Sequence, residues 1–121
     1  MKFTLESPTA VTIRSVSDRE ICIGDRRWSQ TIALTAGGVI AEWQQKAIGS
    51  LAADDFAVLL AAAPEIIVLG TGQAHVIPPR ELVFAFARRG VGFEVMDTRA
   101  AARTFNVLVG EGRQVAAVLY L

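Results

Sequence analysis

The sequence predicts a domain of the α/β class, with β-hairpins in its first half and alternating helices and strands in its second. Three observations support this: two short turn signals in the first half, capping residues ahead of helical patterns, and two apolar runs without alternation. In such alternation each helix connects two strands of one sheet. Because these crossovers are almost always right-handed, the helices pack back onto the sheet. We expect all 121 residues, 1–121, to form a single domain around one core.

The first hairpin is predicted over residues 11–28. Val11 to Arg14 alternates apolar and polar residues, and the run 21–23 is followed by Gly24-Asp25. Glycine suits the first central position of a type II′ turn, so residues 26–28 should return antiparallel.

The second hairpin is predicted around Ala36-Gly37-Gly38, which separates residues 31–34 from residues 39–43. Val39, Ala41 and Trp43 should share one face of the returning strand, because side chains in a strand alternate. Trp28 and Trp43 are both predicted to lie in the core. The pattern leaves open whether the hairpins extend the main sheet or form a second small layer on it.

A helix is predicted from Ser50 to about Ala62. Ser50 can cap it, and Asp54 and Asp55 would lie near its positive end. Pro64 closes it. The run 66–69 has no polar alternation, as in a strand covered on both faces, and we predict it as the central strand.

The rest of the chain predicts a helix over 80–89 ending at Gly90, a strand over 91–96, a helix over 99–109 and a strand over 115–121. Asp97 or Thr98 can cap the second of these helices. Its apolar face is formed by Ala101, Phe105 and Leu108, and its other face by Arg99, Arg103, Asn106 and Gly110. The direction of the last strand is left open.

Charge and composition argue against several classes of partner. Twelve basic residues balance twelve acidic ones, which gives no long-range attraction to nucleic acid or an anionic membrane. No apolar run reaches the length of a membrane span. Residues 1–8 lack the pattern of a signal or transit peptide, and a lone cysteine favours a reducing compartment, so we expect a cytoplasmic protein. We expect no cofactor and no metal site.

Two loops that follow predicted strands are candidates for a binding site. Gly70-Thr71-Gly72 follows the first buried strand, and Asp97-Thr98 follows the next. The carboxyl ends of parallel neighbouring strands lie at the same edge of a sheet, so the two loops should meet if their strands are parallel neighbours. Ligands collect at this edge in open α/β sheets. The glycines can instead serve a sharp turn, and Asp97 can be a plain helix cap. The spacing fits neither a dinucleotide fingerprint nor a phosphate loop.

His75 and Cys22 are the remaining candidates for chemistry. His75 is the single imidazole and is predicted on a loop without an evident partner. Cys22, between Ile21 and Ile23, is predicted as a small core residue rather than a nucleophile paired with His75. No catalytic residue is therefore assigned.

A polar stripe is predicted on the last helix. Arg99, Arg103 and Asn106 follow the spacing of one helix face, with Glu111 and Arg113 just beyond its end. Most such stripes are only solvated, but guanidinium groups also grip a carboxylate, a backbone or a partner protein.

Residues 90–113, with Gly70-Thr71-Gly72 upstream, resemble the family of complex I assembly factor 3 and adipogenesis-associated domains, also called domain of unknown function 498. The most specific pieces are residues 94–98, 104–106 and 111–113 at their present spacings. The resemblance implies a three-layer α/β domain, here with the hairpins and the alternating helices and strands around a mixed central sheet. For mitochondrial members it implies a part in assembling complex I through protein contacts, with no established reaction.

These observations favour a binding or assembly-factor-like module with a protein partner. The alternative is a small-molecule or anion-binding protein, or an enzyme, that uses the two loops. The residues that match the family pattern, together with Arg103, form the predicted site: Gly70, Thr71, Gly72, Asp97, Thr98, Arg103, Asn106, Glu111 and Arg113.

Overall fold

The computed structural model describes residues 11–43 and 45–121, and for Ala41 and Glu42 the backbone alone. The prediction made for residues 1–8 lies outside them. Within the described ranges the chain forms a three-stranded sheet, a five-stranded sheet and three α-helices. The predicted α/β class is confirmed.

The small sheet contains the first predicted hairpin. It is antiparallel, with strands β1 (Ile13–Val16), β2 (Ile21–Ile23) and β3 (Arg26–Trp28) in that order. Gly24 has a φ of +56°, the positive value that the first central position of a type II′ turn requires. Its inner face buries Ile13 and Ile21 against the last helix. This hairpin thus forms a separate layer.

The second hairpin extends the main sheet instead. Strands β4 (Ile32–Thr35) and β5 (Gly38–Glu42) are antiparallel, with a register shift between Ala33 and Leu34. The prediction that Val39 and Trp43 share a face is wrong. They pack against the cores on opposite sides of the sheet, because a bulge adds a residue and reverses the alternation. The side chain of Ala41 lies outside the description.

Three further strands complete the main sheet: β6 (Ile66–Gly70), β7 (Gly92–Met96) and β8 (Val115–Leu119). The strand order is β5-β4-β8-β6-β7. The central place belongs to β8 and not, as predicted, to β6, which lies beside it and is buried along its whole length. The last strand runs parallel to β6 and antiparallel to β4, which makes the sheet mixed.

The predicted helix over 50–62 is much shorter in the structure. Two 3₁₀ turns, Ile48–Ser50 and Ala53–Phe56, precede helix α1 (Ala57–Leu60). Ser50 ends the first turn and caps nothing. The Asp55 carboxylate instead accepts from the Ala52 amide at 2.9 Å, so the capping contact lies one turn later than predicted.

The other two helices agree with the sequence. Helix α2 spans Arg80–Arg88 and is followed by Gly90 at a φ of +72°. Helix α3 spans Thr98–Gly110 and is capped by Asp97.

The main sheet separates two apolar cores. On one side, α3 and the small sheet cover Ile32, Val68 and Leu119. On the other side, α1, α2 and the 3₁₀ turns cover the alternate residues of the same strands. Four aromatic rings meet in this second core, with neighbouring ring centroids 4.7 to 6.3 Å apart: Trp43, Phe56, Phe86 and Phe93. The result is the predicted three-layer arrangement, in which α3 and the small sheet together form one outer layer.

Candidate functional site

The two predicted loops lie side by side. Strands β6 and β7 are parallel neighbours, so their carboxyl ends leave the sheet together, as expected. The Thr98 amide donates to the Gly72 carbonyl at 2.8 Å, and the Gly72 amide donates to Thr98 Oγ1 at 2.8 Å. We call residues 70–72 together with 97–98 the loop junction.

Gly70 lets α3 approach the sheet closely. A Cβ atom at this position would lie 2.9 Å from Thr98 Cα, 2.9 Å from Thr98 Oγ1 and 3.0 Å from Ala101 Cβ. These separations are shorter than carbon contacts allow, and one of the obstacles is backbone. Only glycine fits here without moving the helix. Gly72, by contrast, has a φ of +103° and serves the turn itself.

The two threonine hydroxyls of the loop junction are bonded within the chain. Thr71 Oγ1 donates to the Ala74 carbonyl at 2.6 Å and accepts from the Val76 amide at 3.1 Å. Thr98 Oγ1 donates to the Tyr120 carbonyl at 2.7 Å while accepting from Gly72. Both residues are buried, so these bonds satisfy groups that would be costly to leave unpaired. Among the described residues, every buried side-chain nitrogen or oxygen has a partner.

Asp97 is the N-cap of α3. Its Oδ1 accepts from the Ala100 amide at 2.9 Å, which places a negative charge at the positive end of the helix. The Asp97 carboxylate is thus the anion at this helix end.

A cavity of about 210 Å³ opens beside the loop junction. It lies between the turn that joins β1 to β2, the start of α3 and the last two residues of the chain. Its polar lining comes from Ser17, Asp18, Gln73, Asp97 and Arg99. The volume is below the roughly 300 to 1,000 Å³ that is usual for ligand pockets.

The polar stripe of α3 faces β1. The Asn106 side chain accepts from the Ile13 amide and donates to the Ile13 carbonyl, each at 2.9 Å. Arg99 lies 3.8 Å from Asp18 of the turn after β1, and Arg103 is exposed. The stripe is therefore not only solvated, because Asn106 binds the backbone of Ile13 in the same chain.

Glu111 and Arg113 lie at the opposite end of α3 from Asp97. Thirteen residues of helix separate the ends by roughly 20 Å. Arg113 Nε lies 2.7 Å from Glu65 Oε1, and this hydrogen bond raises the pKa of the Arg113 guanidinium. Both residues are exposed. The structure therefore does not bring these predicted site residues to the loops.

Cys22 is not the core residue predicted from its apolar neighbours. Ile21 and Ile23 face the core, whereas Cys22 faces away from it and its Sγ lies 4.0 Å from Glu20 Oε1. His75 is exposed on the loop before α2. In residues 11–43 and 45–121, no three side chains of the metal-binding types lie close enough to hold an ion.

Sequence reasoning missed a polar contact chain on the far side of the sheet. Trp43 Nε1 donates to Tyr120 Oη at 3.2 Å, and Tyr120 Oη donates to the Lys46 carbonyl at 2.7 Å. Burial raises the pKa of the Tyr120 phenol. Lys46 Nζ also pairs with Asp55 Oδ2 at 3.0 Å. The partners are up to 77 residues apart, so no local pattern indicates them.

Comparison with known proteins agrees with this architecture. The family model described as a protein of unknown function (DUF498/DUF598) matches residues 13–120. The chain belongs to this family. The resemblance drawn from residues 70–72 and 90–113 is thereby confirmed, and the match takes in the hairpin half as well.

Two relatives of this DUF498 chain have informative names. Assembly factor 3 of the NADH dehydrogenase (ubiquinone) 1 alpha subcomplex from Bos taurus is 33% identical over 94% of this chain. This chain spans 62% of that protein's length. A protein of Francisella tularensis named 13 kDa major membrane protein is 33% identical over 76% of both chains. In the described part of the present chain, no helix has the length and apolarity to cross a bilayer.

Solved structures share the whole fold. A crystal structure of a Bordetella parapertussis protein superposes with a TM-score of 0.85 at 34% identity, covering 95% of this chain and 98% of that one. An NMR structure of a Xanthomonas campestris protein gives a TM-score of 0.83 at 31% identity, with coverages of 99% and 92%. The fold of this chain is therefore common to these proteins.

Proposed function

We propose that this DUF498 chain is a non-enzymatic protein-binding module of the assembly-factor type. One observation carries the proposal: the likeness to assembly factor 3 extends over 94% of this chain, at 33% identity. A whole domain that is shared with a protein named for assembly supports a role in holding another protein. The specific complex is not transferred, because fold and function separate easily at this distance.

The bonding of the candidate residues also supports a binding role. The hydroxyls of Thr71 and Thr98, the Asp97 cap and the Asn106 amide are all engaged by other parts of the chain. A catalytic site needs donors, acceptors or bases aimed at a place where a reacting atom can sit. We propose that Gly70, Thr71, Gly72, Asp97, Thr98 and Asn106 shape the surface, and that partner contacts are made by exposed side chains such as Arg103.

Isolation of the complex at native abundance tests this proposal. A tagged chain expressed from its own promoter should co-purify with a defined protein in fixed stoichiometry, and chemical cross-links should reach α3. Arg103→Glu should reduce recovery, whereas Arg88→Glu on α2 should not. Both arginines are exposed and neither forms an ion pair within the described residues, so the two changes are matched. A wild-type chain that elutes alone would overturn the proposal.

A small-molecule or anion site at the loop junction is the second candidate. The cavity of about 210 Å³ beside Gly72, Asp97 and Thr98 is what favours it. If it is correct, a ligand present at one hundred times its dissociation constant should stabilise the fold by about 2.7 kcal/mol. A thermal-shift panel of anionic metabolites without any response would remove this candidate.

We also propose a cytoplasmic location, the compartment that a chain with one cysteine favours. Cell fractionation with native expression checks it. Recovery of the chain in the membrane fraction after a high-salt wash would contradict it.

A further inference from the structure

A second and more open depression runs along α3, on the side that faces β1. Its volume is about 270 Å³. Its floor is apolar and consists of the buried Ile13 and Ala102 and the half-buried Val16. Its rim is formed by polar residues from both elements: Arg14, Ser15, Arg99, Arg103 and Asn106. We call these eight residues the trough.

We infer that the trough binds an extended segment of a partner protein in which acidic and apolar residues alternate. This inference rests on the proposed protein-binding function and names the surface and the chemistry of the partner. It is argued from the charge of the rim, the edge position of β1 and the shape of the floor.

The rim is basic and largely uncompensated. Arg99 and Arg103 contribute two positive charges, and Arg14 adds a third whose Nη1 donates to the Gly24 carbonyl at 3.1 Å. The lining contains no acidic residue. The Asp18 carboxylate, outside the lining, lies 3.8 Å from Arg99, and both side chains are 62% exposed. An ion pair between side chains this exposed contributes little to stability, so an incoming carboxylate can displace it. Guanidinium groups bind carboxylates through two parallel hydrogen bonds, which makes acidic side chains the fitting partners.

The outer edge of β1 defines how a segment would lie. In the small sheet β1 pairs only with β2, which leaves its other edge facing α3. Asn106 already bonds the amide and the carbonyl of Ile13, as a residue of a neighbouring strand would. Beyond this contact an extended segment lies over the trough alongside Ser15, with the basic rim and the apolar floor contacting alternate side chains.

The dimensions suit a short segment. Residues 98–106 of α3 rise by roughly 12 Å, which corresponds to about four residues of extended chain. The trough also shares Val16 and Arg99 with the cavity beside the loop junction, so the binding surface continues toward Gln73.

The lining favours a peptide over a nucleic acid or a membrane. Single-stranded nucleic acids bind on exposed aromatic rings, and none of the eight residues of the trough is aromatic. Membrane-surface binding uses apolar side chains that protrude, whereas Ile13 and Ala102 form a recessed floor and are each 5% exposed.

Titration with a synthetic probe tests the inference on the whole chain. The probe is an N-acetylated six-residue peptide of alternating glutamate and valine, with an alternating lysine and valine peptide as control. In ¹⁵N–¹H spectra, the acidic probe should shift the amide signals of Ile13, Ser15, Val16, Ala102 and Asn106. The lysine probe should not. No shift at about millimolar acidic probe, the weak end of specific binding, or shifts confined to other surfaces would overturn the inference.

Three variants sharpen the result. Arg99→Glu with Arg103→Glu should weaken binding of the acidic probe by at least about ten-fold, which corresponds to about 1.4 kcal/mol. Arg88→Glu with Arg89→Glu makes the same charge change at the C-terminal end of α2 and should leave affinity within about two-fold, since these charges act on the trough at long range only. Asp18→Asn removes the competing carboxylate and should tighten binding by about two- to five-fold, as expected for a weak exposed pair. Equal losses in both double variants would contradict a local site.

The outcomes separate the trough from the proposed function. If the Arg99/Arg103 variant captures the native partner as well as wild type does, the inference that the trough binds the partner is wrong, while the proposed protein-binding function stands. If wild type captures no protein at native abundance but binds the acidic probe, the proposed function fails. Tighter binding of a single-stranded oligonucleotide or of anionic phospholipid vesicles than of the acidic peptide would overturn the inference.

Discussion

At the loop junction, Thr71, Asp97 and Thr98 direct their polar atoms inward, to backbone groups of the same chain. In the trough, the guanidinium groups of Arg99 and Arg103 lie at the surface, whereas the Asn106 amide is bonded to the backbone of Ile13. Both regions are built on α3, and both contain residues of the family pattern. In these two regions the residues of the family pattern hold α3 against its neighbours, and under the proposed function recognition falls to the charges beside them.

The largest effect should come from Gly70, which tests whether the loop junction is structural. We expect Gly70→Val to destabilise the fold by about 3 kcal/mol or more, because its Cβ would overlap the Thr98 backbone. Urea unfolding followed by circular dichroism measures this. Gly110→Ala, at a position with open space, should change stability by less than about 1 kcal/mol. A stable Gly70→Val variant would mean that α3 is not held against the sheet as described.

Thr98 gives the next largest effect. Thr98→Val keeps the shape but removes the acceptor of the Gly72 amide and the donor to the Tyr120 carbonyl. Leaving buried groups unpaired costs about 1 to 3 kcal/mol. Thr104→Val is the control for the substitution itself, since within the described residues the half-buried Thr104 hydroxyl donates to the Met96 sulfur, a weak acceptor. Equal losses in both variants would remove the special role given to Thr98.

Asn106 tests the boundary between the two regions. Asn106→Leu should cost about 1 to 2 kcal/mol, because the amide and carbonyl of Ile13 lose their partner at a half-buried position. Native-state hydrogen exchange should show faster exchange of the Ile13 amide, with the amides of β6 nearly unchanged. Uniform acceleration in both sheets would show that Asn106 supports the whole fold and not only the junction of β1 with α3.

Much of this architecture is predictable because it depends on local patterns. The cap at Asp97, the glycine after α2 and the unbroken apolar run in β6 each act within a few residues, and each fixed an element correctly. The proximity of the two loops followed from parallel pairing alone.

The errors fall where a distant contact or an extra residue decides the outcome. A bulge in β5 moved Trp43 to the opposite core from Val39, and a period-two pattern does not indicate a bulge. Ser50 is a good capping residue, yet the capped turn is Ala53–Phe56, which has Ala52 at its N-cap position. The partner of Asn106 is 93 residues away, so the sequence revealed a polar stripe but not what it binds.

The bond between the Asp55 carboxylate and the Ala52 amide lies outside both the loop junction and the trough. We expect its loss to change stability less than the substitutions at Gly70, Thr98 and Asn106. The Ala52 amide, aided by Lys46, holds the pKa of Asp55 below its ordinary value. Its contribution is therefore present above the unfolded pKa of about 3.9 and is lost as pH falls through the folded pKa. The stability difference between wild type and Asp55→Asn, measured by urea unfolding, should be constant from pH 7 to 5 and shrink as the pH falls below about 3.9, the unfolded pKa. A difference independent of pH would contradict this assignment.

The division between a structural loop junction and a binding trough is tested most directly by measuring stability and affinity on Arg103→Glu. We predict that its free energy of unfolding stays within about 0.5 kcal/mol of wild type, as for exposed surface changes. Its binding of the acidic peptide should fall well beyond that of Arg88→Glu. Unchanged affinity, or a loss of stability as large as that of Thr98→Val, would contradict the account.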